Sequence, residues 1–401
     1  MAEASVGGQS GENSVQLGGY RQELKRTLGS FQVFAISFAF ISVAVGIFAT
    51  YDDVLQNAGP IGIWLWVIAA VGQALVALIV AQFAARIPLS GSSYQWASRL
   101  ANPKIGWGFG WLTFCYLAIA VVAVDNALAS QAFMPLIGLE PDEGTARLIT
   151  LVVLLIQVLI AVGSTRIVSL INASAVGLEL VLVVVVAIML FVAVAITGDG
   201  AVGNLTSRGV AENASDYFAI GGGLMLAMLI GLATLVGFDA ACSRIVFAMS
   251  RDSRFPAHRL MRRVDPRTHT PVPATILIFV IGVVLMVVLP GAALLELITA
   301  ATILPAIIYG LTVILYLGVR RRLDRRKGAF DLGRFELPVA FGALTWSVVA
   351  LFMLAVPAGA LVPVLIVVGL LLAGGLFFLG LLVFNREALE TEPGEVSVFR
   401  H

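Results

Sequence analysis

Four acidic side chains interrupt long apolar runs, and they raise the first chemical question. Asp125 lies within 105–131, Glu179 within 168–197, Asp239 within 217–248, and Glu296 at the edge of 294–319. A carboxyl group in hydrocarbon is costly and usually faces a cavity or a partner. Asp125, Glu179 and Asp239 are therefore candidates for coupling to an ion or a proton. They are equally candidates for hydrogen-bonded anchors inside a helical bundle. Glu296 sits close to a span boundary and carries less weight.

In two of the apolar runs, glycine stands near Ser or Thr in mid-span. In the first, FISVAVGIF at 40–48, Ser42 and Gly46 are four residues apart and share a helix face. Glycine in mid-membrane lets the backbone leave helical geometry. Unwound backbone at that depth survives only where it is buried or lines a cavity. Its free N–H and C=O groups suit a carboxylate or an amine. The other account of this face is small-residue packing. In the sixth run Gly223, Ala227 and Gly231 form a small-residue seam, followed by Thr234, Gly237 and Asp239. A pair of interrupted spans is the pattern expected of an inverted-repeat binding site, and together the two favour binding over packing.

The elements that must position these groups are membrane spans. Hydrophobic residues make up 59% of the 401, charged residues 12%, and the mean hydropathy is +0.98. Soluble domains are far more polar. Ten runs are long enough to cross a bilayer: 30–54, 60–85, 105–131, 146–164, 168–197, 217–248, 273–290, 294–319, 336–356 and 360–384. Lys and Arg cluster in alternate connections, including Arg86, Arg99, Arg251, Arg254, Arg259 and the run 320–327. The other loops are mainly acidic, with Asp52, Asp53, Glu140, Asp142 and Glu143. The positive-inside rule then puts both termini in the cytoplasm. Residues 1–19, polar and rich in Gly and Ser, read as a disordered cytoplasmic tail with no cleavable signal. Residues 20–386 read as one transmembrane domain and 387–401 as a C-terminal cytoplasmic tail. The polar, aromatic segment 90–100 is expected to be a short interfacial helix. In the eighth run Thr299, Thr302 and Pro305 suggest a kink with local hydroxyl bonding, or plain packing.

Several function classes find no support. There is no Walker A loop, no His-Glu-x-x-His and no paired-cysteine metal site. The three histidines lie in polar segments, and Cys115 and Cys242 read as structural thiols. A net charge of +1 gives no general reason for nucleic-acid binding. No enzyme, cofactor or metal is expected, and any transport must run on a gradient. A channel is disfavoured because no filter-type segment is present.

Four stretches resemble the amino acid–polyamine–organocation permease superfamily, nearest to its amino acid, GABA and choline-type members. They are LKRTLG at 24–29, VGIF at 45–48, PLSGSSYQW at 88–96, and SRIVFAMSRDSRFP at 243–256, the last followed by TPVPA at 270–274. The resemblance implies an all-α polytopic membrane protein with the LeuT-type fold: two five-helix inverted repeats and two further helices. It implies substrate held between broken first and sixth helices. Carried over, the substrate site is Ser42, Val45, Gly46, Ile47, Thr234, Gly237 and Phe238, with Asp125 alongside. The implied partners are an amino acid or amine, a coupling H+ or Na+, and the bilayer of the plasma membrane.

The sequence departs from that family after Ala240. Where relatives continue through a loop, a seventh helix and the front of an eighth, this chain passes within a few residues to the signature ending the eighth. The sixth and eighth helices run the same way across the membrane. Joining the front of one to the back of the other removes two passes and preserves topology. That gives ten spans instead of twelve. The expectation is a shortened permease with impaired transport, or a non-transporting binding or regulatory subunit.

Overall fold

The computed structural model describes residues 51–52, 54–87, 91–140, 142–163, 165–198, 200–209, 242–265, 270–323, 330–356 and 360–390. Every regular element among them is helical. Lipid offers backbone groups no partners, so each span must bond within itself.

After a 3-10 turn at Pro60–Gly62, α1 runs Ile63–Arg86 and a short α2 runs Ser92–Leu100. Helix α3, Pro103–Ala127, continues through a π-helical stretch at Leu128–Phe133 and a last turn, Met134–Leu136. Then come α4, Glu143–Gly163, and α5, Thr165–Thr197. Beyond residue 241 follow α6, Cys242–Arg251, α7, Val272–Val288, α8, Gly291–Val319, α9, Glu336–Ala355, and α10, Leu361–Phe384. A 3-10 turn, Arg386–Leu389, ends the described chain.

Among the described residues, seven helical stretches are long and apolar enough to span a bilayer, and Val272–Val288 is a shorter apolar helix. These eight coincide with eight of the ten expected runs. Most of the first run, and residues 217–241 of the sixth, lie outside the described residues. The chain is an all-α, polytopic membrane protein.

Helix α3 is the axis of the bundle. Its most extensive packing is against α8, and it also touches α2, α4, α6, α7 and α10. Asn102 caps its start by accepting from Ile105 N at 2.8 Å, and Pro103 suits the first helical position. Trp107 and Trp111 stack at 5.7 Å; both meet Phe377 on α10, and Trp111 donates to Leu370 O at 2.9 Å. A second cluster joins α1, α8 and α9, with Phe83 edge-on to Tyr316 at 5.4 Å. On α8 the hydroxyl of Thr302 bonds Ile298 O at 2.9 Å, three residues before Pro305. It is an ordinary i−4 hydroxyl bond, compatible with plain packing at this point of the helix.

Loop contacts join ends that the alternation of spans puts on one side. Ile61 N donates to Ser207 O at 3.0 Å and Gly291 N to Glu143 Oε1 at 2.6 Å. On the opposite side Arg86 meets Asp331 at 3.7 Å and Arg320 meets Glu336 at 3.3 Å.

The segment expected at the interface is helical but does not lie there. Ser93 to Leu100 are all buried, with α2 packed against α3 and α8. An interfacial helix keeps one face in water; α2 instead spends its polar groups on partners inside the protein. Its entry depends on Gly91, whose φ of 102° is left-handed. A Cβ there would lie 3.1 Å from Ala248 of α6.

Candidate functional site

Of the residues expected at the substrate site, Ser42, Val45, Gly46, Ile47, Thr234, Gly237 and Phe238 lie outside the described residues, as does Asp239. Asp125 and Glu179 are described. Asp125 is buried near the end of α3. Gln157 of α4 donates its amide to Asp125 Oδ1 at 2.9 Å. The other carboxyl oxygen is enclosed and has no hydrogen-bond partner among the described residues. At 1.5 Å per residue, Asp125 lies roughly 16 Å along the helix from its end at Leu136. It is therefore well inside the hydrocarbon layer.

Three residues beyond Asp125 the helix widens into its π-helical stretch. Such bulges shift backbone register and frequently sit at functional positions. Asn126, next in sequence, is buried too, and its carbonyl accepts from Ser130 Oγ at 2.8 Å. A buried carboxylate with one satisfied and one open oxygen can accept a proton, an amine or a cation. Glu179 is half-buried on α5, a helix whose main described neighbour is α4.

On the opposite side of the membrane the two signature stretches dock on each other. Arg254 is 1% exposed. Its guanidinium donates to Tyr94 Oη at 3.2 Å, Ser98 Oγ at 3.0 Å and the carbonyl of Ala388 at 2.8 Å. Tyr94 in turn donates to Asp252 Oδ2 at 2.6 Å, and Gln95 donates to the same oxygen at 3.2 Å. Trp107 of α3 donates to Arg254 O at 3.2 Å, and Phe114 meets Phe255 edge-on at 5.1 Å.

Sequence reasoning counted Arg254 among water-facing positive charges and missed this cluster. Lys and Arg counts report the side of the membrane, not depth. The usable signal was that both partners fall in the stretches 88–96 and 243–256, which carry the family resemblance. Among the described residues no three His, Cys, Asp or Glu side chains converge as a metal site requires.

Comparison with known proteins agrees with this architecture. A family model described as amino acid permease matches residues 28–243 and 240–378, two stretches that meet at 240–243. The chain is similar to the amino-acid permease BAT1 homolog of Oryza sativa subsp. japonica, 35% identical over 133 residues, 32% of this chain and 26% of that protein. Amino-acid permease BAT1 of Arabidopsis thaliana is 36% identical over 125 residues, 30% of this chain and 24% of that protein. The matches thus span about a quarter of the length of these plant relatives. An uncharacterized amino-acid permease of Schizosaccharomyces pombe is 23% identical over 430 residues, covering 83% of this chain and 76% of that protein. That alignment is longer than the 401-residue chain, so a substantial stretch of the relative has no counterpart here. With the family model matched over most of its length, the chain belongs to the amino acid permease family, whose members are transporters and not enzymes.

Proposed function

We propose that this chain is a secondary active transporter of an amino acid or a related amine, built on residues 20–386, in the plasma membrane with both termini cytoplasmic. Substrate docks on the free backbone groups of two broken helices, at Ser42, Val45, Gly46 and Ile47 and at Thr234, Gly237 and Phe238. Asp125 lies alongside, and its open carboxyl oxygen is the observation that carries the reading. A primary amine or an ammonium group needs such an acceptor in hydrocarbon. Asp125, Glu179 and Asp239 are the groups through which H+ or Na+ couples to flux. Membership in the amino acid permease family supports the substrate class.

The chain is a shortened variant, and its transport is impaired. Two observations favour this: the matched stretches of the family model meet at 240–243, and the fission yeast relative carries a stretch with no counterpart here. A join there removes the inner half of the sixth helix and the seventh. Alternating access needs one repeat to move against the other, and the second repeat is then incomplete. The same observations favour a second reading, a truncated permease that binds substrate without moving it and serves as a regulatory subunit.

Purified protein in proteoliposomes separates the readings. Gradient-driven uptake of a labelled amino acid supports the transporter. Saturable binding with no flux supports the subunit. Absence of both for every amino acid and amine tried overturns both.

A further inference from the structure

We propose that the turn Arg386–Leu389, after the last span, is a latch that holds the cytoplasmic face of the bundle shut, with Arg254 as its catch. This goes beyond the transport reading and does not depend on it.

The turn is not a solvated tail. Ala388 is buried, and Leu389 is 1% exposed within the main apolar core. Two hydrogen bonds tie it to the segment after α6: Arg254 Nε to Ala388 O at 2.8 Å and Asn385 Nδ2 to Ser253 O at 3.3 Å. The remainder of the turn touches α10 and α3. Its outward face carries an exposed i,i+4 pair, Arg386 to Glu390 at 2.6 Å, of a kind that contributes little.

The catch is coupled to everything around it. The same guanidinium that holds Ala388 also holds Tyr94 and Ser98 of α2, and Tyr94 holds Asp252. When the turn leaves, a buried guanidinium loses a carbonyl acceptor, and an unmatched charged donor in an apolar site is costly. Arg254 must then re-solvate, which pulls at α2 and at the end of α6 together. Undocking of four residues is thereby linked to water entry at the inner ends of α2, α3 and α6. The order of events follows from burial: Leu389 is the apolar plug, and the polar cluster behind it opens only once the plug is out.

The test uses the full chain with Ser250→Cys as reporter. Ser250 lies on α6, fully buried, and its hydroxyl has no partner among the described residues, so the thiol replaces it without breaking a hydrogen bond among them. Cys115, buried in α3, stays as internal control, and Cys242 is changed to alanine. Labelling by a membrane-impermeant maleimide is read by peptide mass spectrometry. Leu389→Asp ejects the plug at full length; a chain ending at Phe384 removes the turn outright. The latch predicts that both raise labelling at position 250 at least tenfold and leave Cys115 unchanged. Unchanged labelling at 250 overturns it. Equal rises at 250 and at Cys115 overturn it as well, because the turn is then a general prop and not a latch.

Discussion

Arg254 and Tyr94, 160 residues apart in sequence, meet at 3.2 Å in the buried interior at one end of the bundle. The phenol oxygen accepts from the guanidinium and donates to Asp252. One hydroxyl thus joins a cation to an anion, and through them α2 to the segment that follows α6. The contact needs residues from both sides of the 240–243 meeting point of the two matched stretches, so the parts on either side of it fold as one bundle.

Removing the cation should be expensive. Arg254→Ala takes the guanidinium donor from three buried acceptors, Tyr94 Oη, Ser98 Oγ and Ala388 O, and is expected to cost on the order of 3 kcal/mol. Arg254→Lys should recover only part, because an ammonium is a point charge without the guanidinium's fork. Thermal midpoints in detergent check this, with the order native, lysine, alanine.

Two glycines two residues apart on α3 should respond in opposite directions. A Cβ on Gly106 would come 2.6 Å from the backbone of Ser98, whereas one on Gly108 meets nothing within 4 Å. Gly106→Ala should destabilise by about 1–3 kcal/mol by forcing α2 away from α3. Gly108→Ala should be neutral or gain up to about 1 kcal/mol from helix propensity. The same unfolding assay reads both.

The spans were legible because hydrocarbon imposes a length and a composition on any helix that crosses it, as in 146–164 and 360–384. The cluster around Arg254 was not. In SRDSRFP nothing local tells Arg251 from Arg254, yet the second is the one sealed inside, because its acceptors lie on α2 and after α10. The amphipathic stretch 90–100 suggested a membrane surface, but its polar face is matched by Arg254 and Asp252, groups that sequence spacing cannot bring near. Asp125 stood out at once as an acid in an apolar run. Its amide partner, Gln157, did not, since a lone glutamine in a span has many uses.

Charge at Asp125 can be separated from shape. Asp125→Asn keeps an oxygen for Gln157 to bond and removes the negative charge. Amine binding or coupled flux should fall at least tenfold while the thermal midpoint stays near native. An unchanged affinity would remove Asp125 from the site.

A loop acid should show in the pH dependence. Asp142 precedes α4, and Thr145 donates to its Oδ2 through the backbone N–H at 2.9 Å and the hydroxyl at 3.0 Å. These bonds, the backbone one first, hold its carboxyl below the usual carboxylate range. A depressed folded pKa adds stability that is fully present above the ordinary value near pH 4 and is lost as pH falls through the folded value. Asp142→Asn should flatten this acid-side loss, measured as thermal midpoint against pH from 6 downward.

Uptake in proteoliposomes, set beside a full-length permease of the same family under the same gradient, bears most directly on the central claim. The account predicts saturable binding of an amino acid or amine, with flux well below that of the full-length protein. Flux equal to the full-length permease would contradict it, because an incomplete second repeat would then be no obstacle to alternating access.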